Sequence, residues 1–196
     1  MQIRFLIAAS ALLVIAPAIV AQDQKAAPAA ASEASMAMPK PGPEHMQLAK
    51  AEGMWDASIS SMGMPASKGT SEMKMSLNGF WLTETFKGDM GGMAFEGHSV
   101  TGYDPNKQKY VSTWIDNMSP NLYVFEGTFD QKTRTLTMLG EGFDQMSGKV
   151  VKMKNLTIHK DANTVVFEMY HIDGGNEVKM MTITYTRHAM PAKPAK

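Results

Sequence analysis

The sequence predicts an all-β fold: an antiparallel up-and-down barrel of about ten strands, preceded by one short helix. Two observations predict it. Gly53-Met54-Trp55 opens the first strand-like stretch, and Arg187 closes the last one, 180–187. Between them, apolar and β-branched runs alternate with short turn sequences, and no long helical pattern intervenes. Because an up-and-down barrel pairs its first and last strands, the Trp55 indole and the Arg187 guanidinium are expected to stack.

The strand candidates follow one another at regular spacing, which favours antiparallel neighbours with short connections. Asp104-Pro105-Asn106-Lys107 and Asp130-Gln131-Lys132-Thr133 are turn sequences, and Asp173-Gly174-Gly175-Asn176 is a glycine-bearing turn. The predicted strands are 54–61, 68–77, 80–88, 93–103, 109–117, 121–130, 134–142, 148–159, 164–173 and 177–187.

Several strands mix apolar and polar residues on both faces. In 109–117, for example, Trp114 and Asp116 share one face because strand side chains alternate with a period of two. Such mixing is typical of a barrel with a partly polar interior, whereas a clean sandwich alternates apolar and polar faces. A two-sheet sandwich is the alternative, since strand number alone does not separate the two architectures.

The chain has further segments outside the predicted barrel. Residues 1–21 have the pattern of a secretory signal peptide, with Arg4 before a short apolar stretch that Pro17 interrupts. Residues 22–43 form an Ala/Pro-rich linker predicted to be disordered, 44–188 the barrel domain, and 189–196 a second disordered tail. Within the domain, 43–53 is the helical candidate, expected to lie across one barrel end, with Pro43 in its first turn and Gly53 as its stop.

Composition restricts the compartment and the partners. The chain has no cysteine, so packing rather than disulfides must hold the fold, and no acceptor for a lipid anchor is present. With the signal pattern, this predicts a periplasmic or secreted protein without a stable membrane anchor after cleavage. The 19 basic and 19 acidic residues balance, and no basic stripe occurs, which argues against nucleic acid as a partner.

Two sets of residues carry a resemblance to known families. Gly53, Trp55 and Arg187 resemble the signature of the calycins, the group of lipocalin-like and fatty-acid-binding-type barrels. The stretches 41–45, 95–104, 110–116 and 182–187 resemble an uncharacterised bacterial family, the domain of unknown function numbered fifteen-seventy-nine. The resemblance spans nearly all of 41–187 and implies a calycin-like barrel. It brings no established activity, substrate or catalytic residue.

The sequence predicts a barrel that binds a small apolar or amphipathic ligand. Gly53, Trp55 and Arg187 are assigned to barrel closure. The candidate ligand-binding residues are Trp114, Asp116, Glu84, His98, Tyr170 and Phe95. Asp116, Glu84 and His98 would supply polar specificity, because carboxylates inside a barrel need partners. The aromatic wall candidates are Phe80, Trp81, Phe86, Phe95, Trp114, Phe125, Phe167 and Tyr170.

Other functions are kept as alternatives. One is an enzyme that uses a carboxyl group and a histidine as acid and base in the cavity; another is a structural or stress-related envelope protein with a filled core. Minor alternatives are copper, from the 19 methionines, and heme, with His171 as a conceivable ligand. His159 and His171 are also expected to approach each other across a hairpin. No cofactor or metal site is predicted, because no zinc-binding or phosphate-binding motif occurs.

Overall fold

A computed structural model describes residues 38–145 and 147–189, which form one α-helix and ten strands. The predicted signal peptide 1–21, the linker up to residue 37 and the tail from residue 190 lie outside the described residues. The helix is α1, Pro43–Ala49. The strands are β1 Gly53–Ser61, β2 Ser67–Ser76, β3 Trp81–Met90, β4 Met93–Asp104, β5 Lys109–Asp116, β6 Ser119–Asp130, β7 Thr135–Asp144, β8 Lys149–His159, β9 Thr164–Asp173 and β10 Asn176–Arg187.

The ten strands form a closed barrel in which every strand pairs with its neighbours in sequence, all antiparallel. Closure comes from the pairing of β1 with β10, in register from Trp55 opposite Arg187 to Ser61 opposite Met181. The predicted up-and-down barrel is confirmed, and the two-sheet sandwich is excluded. Because the barrel is closed, each of the ten described strands has a partner on both sides, and none is an edge strand.

Helix α1 begins at Pro43, as predicted, because a proline lacks the N–H that would be unsatisfied in the first turn anyway. At its start, the Gly42 backbone N–H donates to His45 Nδ1 at 3.0 Å. The helix ends at Ala49 rather than continuing to residue 52. Gly53 begins β1 with φ of +127°, in the region that favours glycine.

One end of the barrel is covered by α1 and by the turn that follows it. Leu48 is buried, and Tyr110 OH donates to the Glu44 carbonyl at 3.3 Å. The His45 ring packs edge-on against Phe80, with 5.3 Å between the ring centroids. The hairpins after β1, β3, β5, β7 and β9 all lie at the opposite end, which we call the mouth. The helix therefore covers one end, as predicted.

Buried and exposed side chains alternate most clearly along β1. Trp55, Ala57 and Ile59 on β1 are buried, and the residues between them are exposed. The buried residues form two clusters inside the barrel, one around Trp55, Phe86 and Tyr185 and the other, near the helix, around Leu48 and Tyr110. Residues at inward positions thus make the core and any interior site. Among the described residues, no helix has both the length and the apolar character needed to cross a membrane.

Candidate functional site

The barrel interior contains a cavity of about 500 Å³. Methionine is its commonest lining residue, so most of the described methionines face inward. Thioether side chains are flexible and polarisable, which lets one wall adapt to ligands of different shape. The methionines that line the cavity are Met62, Met64, Met73, Met90, Met118, Met138, Met153, Met169, Met180 and Met181.

Aromatic rings form much of the remaining wall. Phe95 and Trp114 stack with 6.4 Å between ring centroids and 17° between their planes. Gly97, opposite Asp116 on the neighbouring strand β4, makes room for this indole. A Cβ atom there would lie 2.2 Å from Trp114 Cζ2, so only glycine permits this position of the ring. Trp114 Nε1 donates to Asp116 Oδ2 at 2.9 Å, which fixes the indole at the mouth.

Glu84 is the carboxyl group in the middle of the wall. Its side chain points inward from β3 between Met73 of β2 and Ser99 of β4. Three hydroxyl groups donate to it: Ser71 Oγ at 2.7 Å, Ser99 Oγ at 3.3 Å and Tyr185 OH at 3.4 Å. Ser71 is fully buried. Side chains of β2, β4 and β10 therefore converge on one carboxyl group of β3.

The environment of Glu84 disfavours its charge. Burial raises the pKa of Glu84 above its usual range, and the hydroxyl donors oppose this shift only in part. Burial, and then the neighbouring Glu84 charge, raise the pKa of Tyr185 well above its ordinary value, so this phenol stays a donor. Part of the Glu84 side chain still borders the cavity. The group is thus positioned to accept from a ligand when ionised, or to donate when protonated.

Further polar groups line the cavity. Asp89, Asp116 and Asp144 lie near the mouth, at or next to the ends of β3, β5 and β7. Asn155, on β8 across the barrel from β3, has a buried Oδ1 atom with no hydrogen-bond partner. A buried amide oxygen without a hydrogen-bond partner lowers the stability of the folded state. Asn155 therefore costs stability at this position unless it serves a function.

Four of the six predicted ligand-binding residues lie together. Glu84, Phe95, Trp114 and Asp116 all line the cavity, as do the wall candidates Phe86, Phe125 and Phe167. Binding by these residues stays a prediction.

His98 and Tyr170 are placed elsewhere, on the outer face of the barrel, which corrects the expectation that they line the interior. His98 Nε2 lies 3.2 Å from Glu96 Oε1, and Tyr170 OH donates to Glu168 Oε2 at 2.7 Å. Phe80 and Trp81, two of the wall candidates, are not in the cavity wall either. Phe80 precedes β3 and packs against His45.

The alternation of strands explains the error. Phe95 and His98 are three residues apart on β4, so their side chains must point to opposite faces. Sequence reasoning missed Ser71, Ser99 and Tyr185 as partners of Glu84. The available signal was again parity, because each occupies an inward position of its strand. Their cross-strand register was needed in addition, and only the structure supplies it.

The predicted closure pair lies at the covered end. The Arg187 guanidinium stacks on the Trp55 ring, 4.2 Å from its centroid. Arg187 also donates to the carbonyls of Glu52 at 2.6 Å and Lys50 at 3.1 Å, and Trp55 Nε1 donates to Ala51 O at 2.9 Å. Gly53 leaves the space for the guanidinium, since a Cβ there would lie 2.7 Å from its Nη1. One strand pair thereby anchors the turn after α1.

The two interior histidines do not meet, contrary to expectation. His159 pairs with Val165, whereas His171 pairs with Met153, so they lie at opposite ends of the β8–β9 pair. Both line the cavity. Burial lowers the pKa of His159, as do the nearby charges of Lys50 and Arg134. In the described part of the chain, no three residues of His, Asp or Glu are grouped to hold a metal ion.

The fold, its closure pair and its interior cavity define a calycin-like β-barrel. A family model described as "Protein of unknown function (DUF1579)" matches residues 40–187. The chain belongs to this family, which confirms the resemblance found in the sequence. The family description carries no activity.

Several solved structures are similar to this chain. The S-type phycobiliprotein lyase CPES from Guillardia theta is 8% identical, with a TM-score of 0.46, covering 77% of this chain and 100% of that one. EF1p2_mFAP2b bound to DFHBI is 8% identical, with a TM-score of 0.41 and coverage of 74% and 99%. A redesigned β-barrel, b11L5F_LGL, is 11% identical, with a TM-score of 0.39 and coverage of 77% and 100%. No curated protein matches the chain.

Proposed function

We propose that the protein binds a small apolar or amphipathic molecule inside its barrel. The observation that carries the proposal is the cavity of about 500 Å³, which falls in the size range of small-molecule sites. Methionine and aromatic residues are the two largest groups in its wall, and a few polar groups converge on the interior. This combination is typical of sites that bury the apolar body of a ligand and orient it by one or two polar contacts.

Packing supports the same proposal. Protein interiors are normally filled to the density of organic crystals, and empty space lowers stability. A barrel whose only role was structural would gain from larger inward side chains. Here small side chains such as Ser99, Ser112 and Thr157 line the cavity instead. A ligand that fills this space would recover the missing contacts, which speaks against the filled structural barrel.

Export is a further part of the proposal. The pattern of residues 1–21 supports a cleaved signal peptide, and the absence of cysteine is compatible with an oxidising compartment. We therefore place the binding function in the periplasm or outside the cell. Fractionation of the cells with N-terminal sequencing tests this placement: we expect protein cleaved near residue 21 in the periplasm or medium, and protein with an intact Met1 found in the cytoplasm alone would contradict it.

An enzyme is the second candidate, and Glu84 is the observation that favours it. A carboxyl group with a raised pKa inside a cavity is a common general acid or base. Among the described residues its side-chain partners are hydroxyl groups, which donate to it but do not ionise near neutral pH. This arrangement fits recognition of a ligand better than proton relay, so binding is the preferred function.

Fluorescence titration with an apolar probe, N-phenyl-1-naphthylamine, tests the binding function. The variant Thr157→Trp puts an indole into the cavity from β8, and Thr128→Trp puts the same ring on the outer face of β6 as a matched control. We expect the wild type and the control to bind the probe alike and Thr157→Trp to bind it about tenfold more weakly, because space is lost. Equal binding by all three proteins would contradict an interior site.

A further inference from the structure

The charge of the cavity wall has one sign. Four carboxyl side chains line it, whereas the described lining contains no lysine and no arginine. The four are Glu84 in the middle and Asp89, Asp116 and Asp144 towards the mouth. The basic side chains of the lining are two imidazoles, and burial lowers the pKa of one of them, His159. The whole chain has no net charge, so this negative interior is a local feature.

Glu84 lacks a cationic partner within the described residues. Its side chain accepts hydrogen bonds from three hydroxyl groups, and it takes part in none of the salt bridges of the described residues. Hydroxyl donors compensate a buried carboxylate only partly, and a carboxylate without a counter-ion is costly in a protein interior. A cation that enters the cavity would supply the missing compensation.

Aromatic faces adjoin this carboxyl group. Phe86 lies two residues from Glu84 on the same face of β3, and its ring meets that of Tyr185 edge-on at 6.4 Å. The ring centroid of Phe95 lies 5.9 Å from that of Phe86. Aromatic faces attract organic cations, and this attraction grows when water is excluded. Beyond these rings the wall is mostly apolar, which suits an apolar body attached to the charge.

We infer that the cavity takes a small organic cation, an amine or quaternary ammonium group joined to an apolar body, with Glu84 as its counter-ion. This inference rests on the proposed binding function and adds the ligand class. The cationic group lies against Glu84 and the rings of Phe86 and Tyr185, and the apolar body lies among the methionines. Asp89, Asp116 and Asp144 near the mouth attract cations towards the entrance. A carboxylate ligand would meet the carboxyl group of Glu84 and find no lysine or arginine among the described lining residues.

Three ligands that share one apolar body test the ligand class. Decylamine, decanol and decanoate have similar unbranched chains, and their head groups are cationic, neutral and anionic at neutral pH. Each is titrated against the N-phenyl-1-naphthylamine complex of the mature protein. The variant Glu84→Gln keeps the shape of the side chain and removes its charge. Glu72→Gln, on the outer face of β2 beside Lys74, is the matched control.

We expect decylamine to displace the probe at about tenfold lower concentration than decanol, and decanoate to be the weakest, because a charged hydrogen bond adds to the shared apolar contacts. Glu84→Gln is expected to remove this preference, so that decylamine and decanol displace the probe at similar concentrations, and Glu72→Gln to retain it. Equal displacement by decylamine and decanol in the wild type would overturn the ligand class. This comparison needs no variant, so it holds even if Glu84→Gln does not fold. The binding function would then stand, whereas failure of the probe and all three ligands to bind would overturn both.

Discussion

At the scale of single residues, Arg187 makes more contacts than its place at the end of β10 suggests. It stacks on Trp55 and donates to backbone carbonyls before β1 and in the connection between β8 and β9. Lysine has one point charge and no planar fork, so it cannot make these contacts together. The same residue thus closes the barrel and anchors the turn after the helix.

We expect Arg187→Lys to lower the free energy of unfolding by about 2 kcal/mol, from the lost stacking and hydrogen bonds. Urea denaturation measures the change. Arg134→Lys is the matched control, because the exposed Arg134 side chain bonds to a single carbonyl, that of Lys160. We expect the control to change stability by less than about 0.5 kcal/mol. Equal effects of the two substitutions would show that stacking on Trp55 adds nothing.

Glu84 makes the stability of the barrel depend on pH. Because its folded pKa is raised above the ordinary value of 4.5, the folded state holds the proton more tightly than the unfolded chain. The resulting stabilisation is present below the unfolded pKa and is lost as the pH rises through the folded pKa. Glu84→Gln has no such proton and serves as the reference.

We therefore expect the wild type to lose stability relative to Glu84→Gln as the pH rises from about 4 to 8. Urea midpoints of both proteins at several pH values measure the difference, in which the titration of other groups largely cancels. A difference that stays constant over this range would mean that the folded pKa of Glu84 is not raised.

At the scale of elements, helix α1 packs on the barrel through one buried face. Leu48 is 6% exposed and lines the covered end of the cavity, whereas Met46 on the same helix is 62% exposed. The helix has 7 residues, too few to be stable in water by itself, so packing against the barrel must hold it.

Leu48→Ala is expected to lower the free energy of unfolding by about 2 kcal/mol or more and to weaken probe binding, because the covered end opens. Met46→Ala removes a side chain from the same helix without touching the cavity, and we expect less than about 0.5 kcal/mol. Urea denaturation and probe titration of the pair measure both effects. Similar losses for the two variants would show that the helix does not seal the barrel.

At the scale of the whole molecule, the barrel has an open and a covered end, and its methionines near the open end are the more exposed ones. Met62 and Met64 near the mouth are 55% and 42% exposed, whereas Met138 and Met153 are 4% and 6% exposed. All four line the cavity. Access of solvent to the interior is therefore expected from one end.

Dilute hydrogen peroxide should oxidise Met62 and Met64 well before Met138 and Met153, since sulfoxide formation follows exposure of the thioether. Peptide mass spectrometry over a time course measures the order, and the unfolded protein in urea, where all four react alike, is the control. Simultaneous oxidation in the folded protein would mean that the covered end opens freely.

The sequence alone determined the strands and the closure of the barrel. Turn residues and apolar runs mark strand limits locally, and Trp55 with Arg187 signals which strands meet. Part of the cavity wall also followed from alternation, as for Trp114 and Asp116. Phe95 and His98 lie on opposite faces of β4, so only one of them can point into the barrel. The sequence did not show which face is the inner one, because both faces of β4 mix polar and apolar residues.

Only the tertiary structure decided what surrounds Glu84 and which way the methionines face. Ser71, Ser99 and Tyr185 come from three strands, and Tyr185 is far from Glu84 in the chain, so their meeting depends on strand register and barrel closure. The same holds for the negative wall of the cavity, which an evenly charged sequence does not reveal. Local patterns determine elements, whereas the grouping of distant side chains depends on how those elements pair.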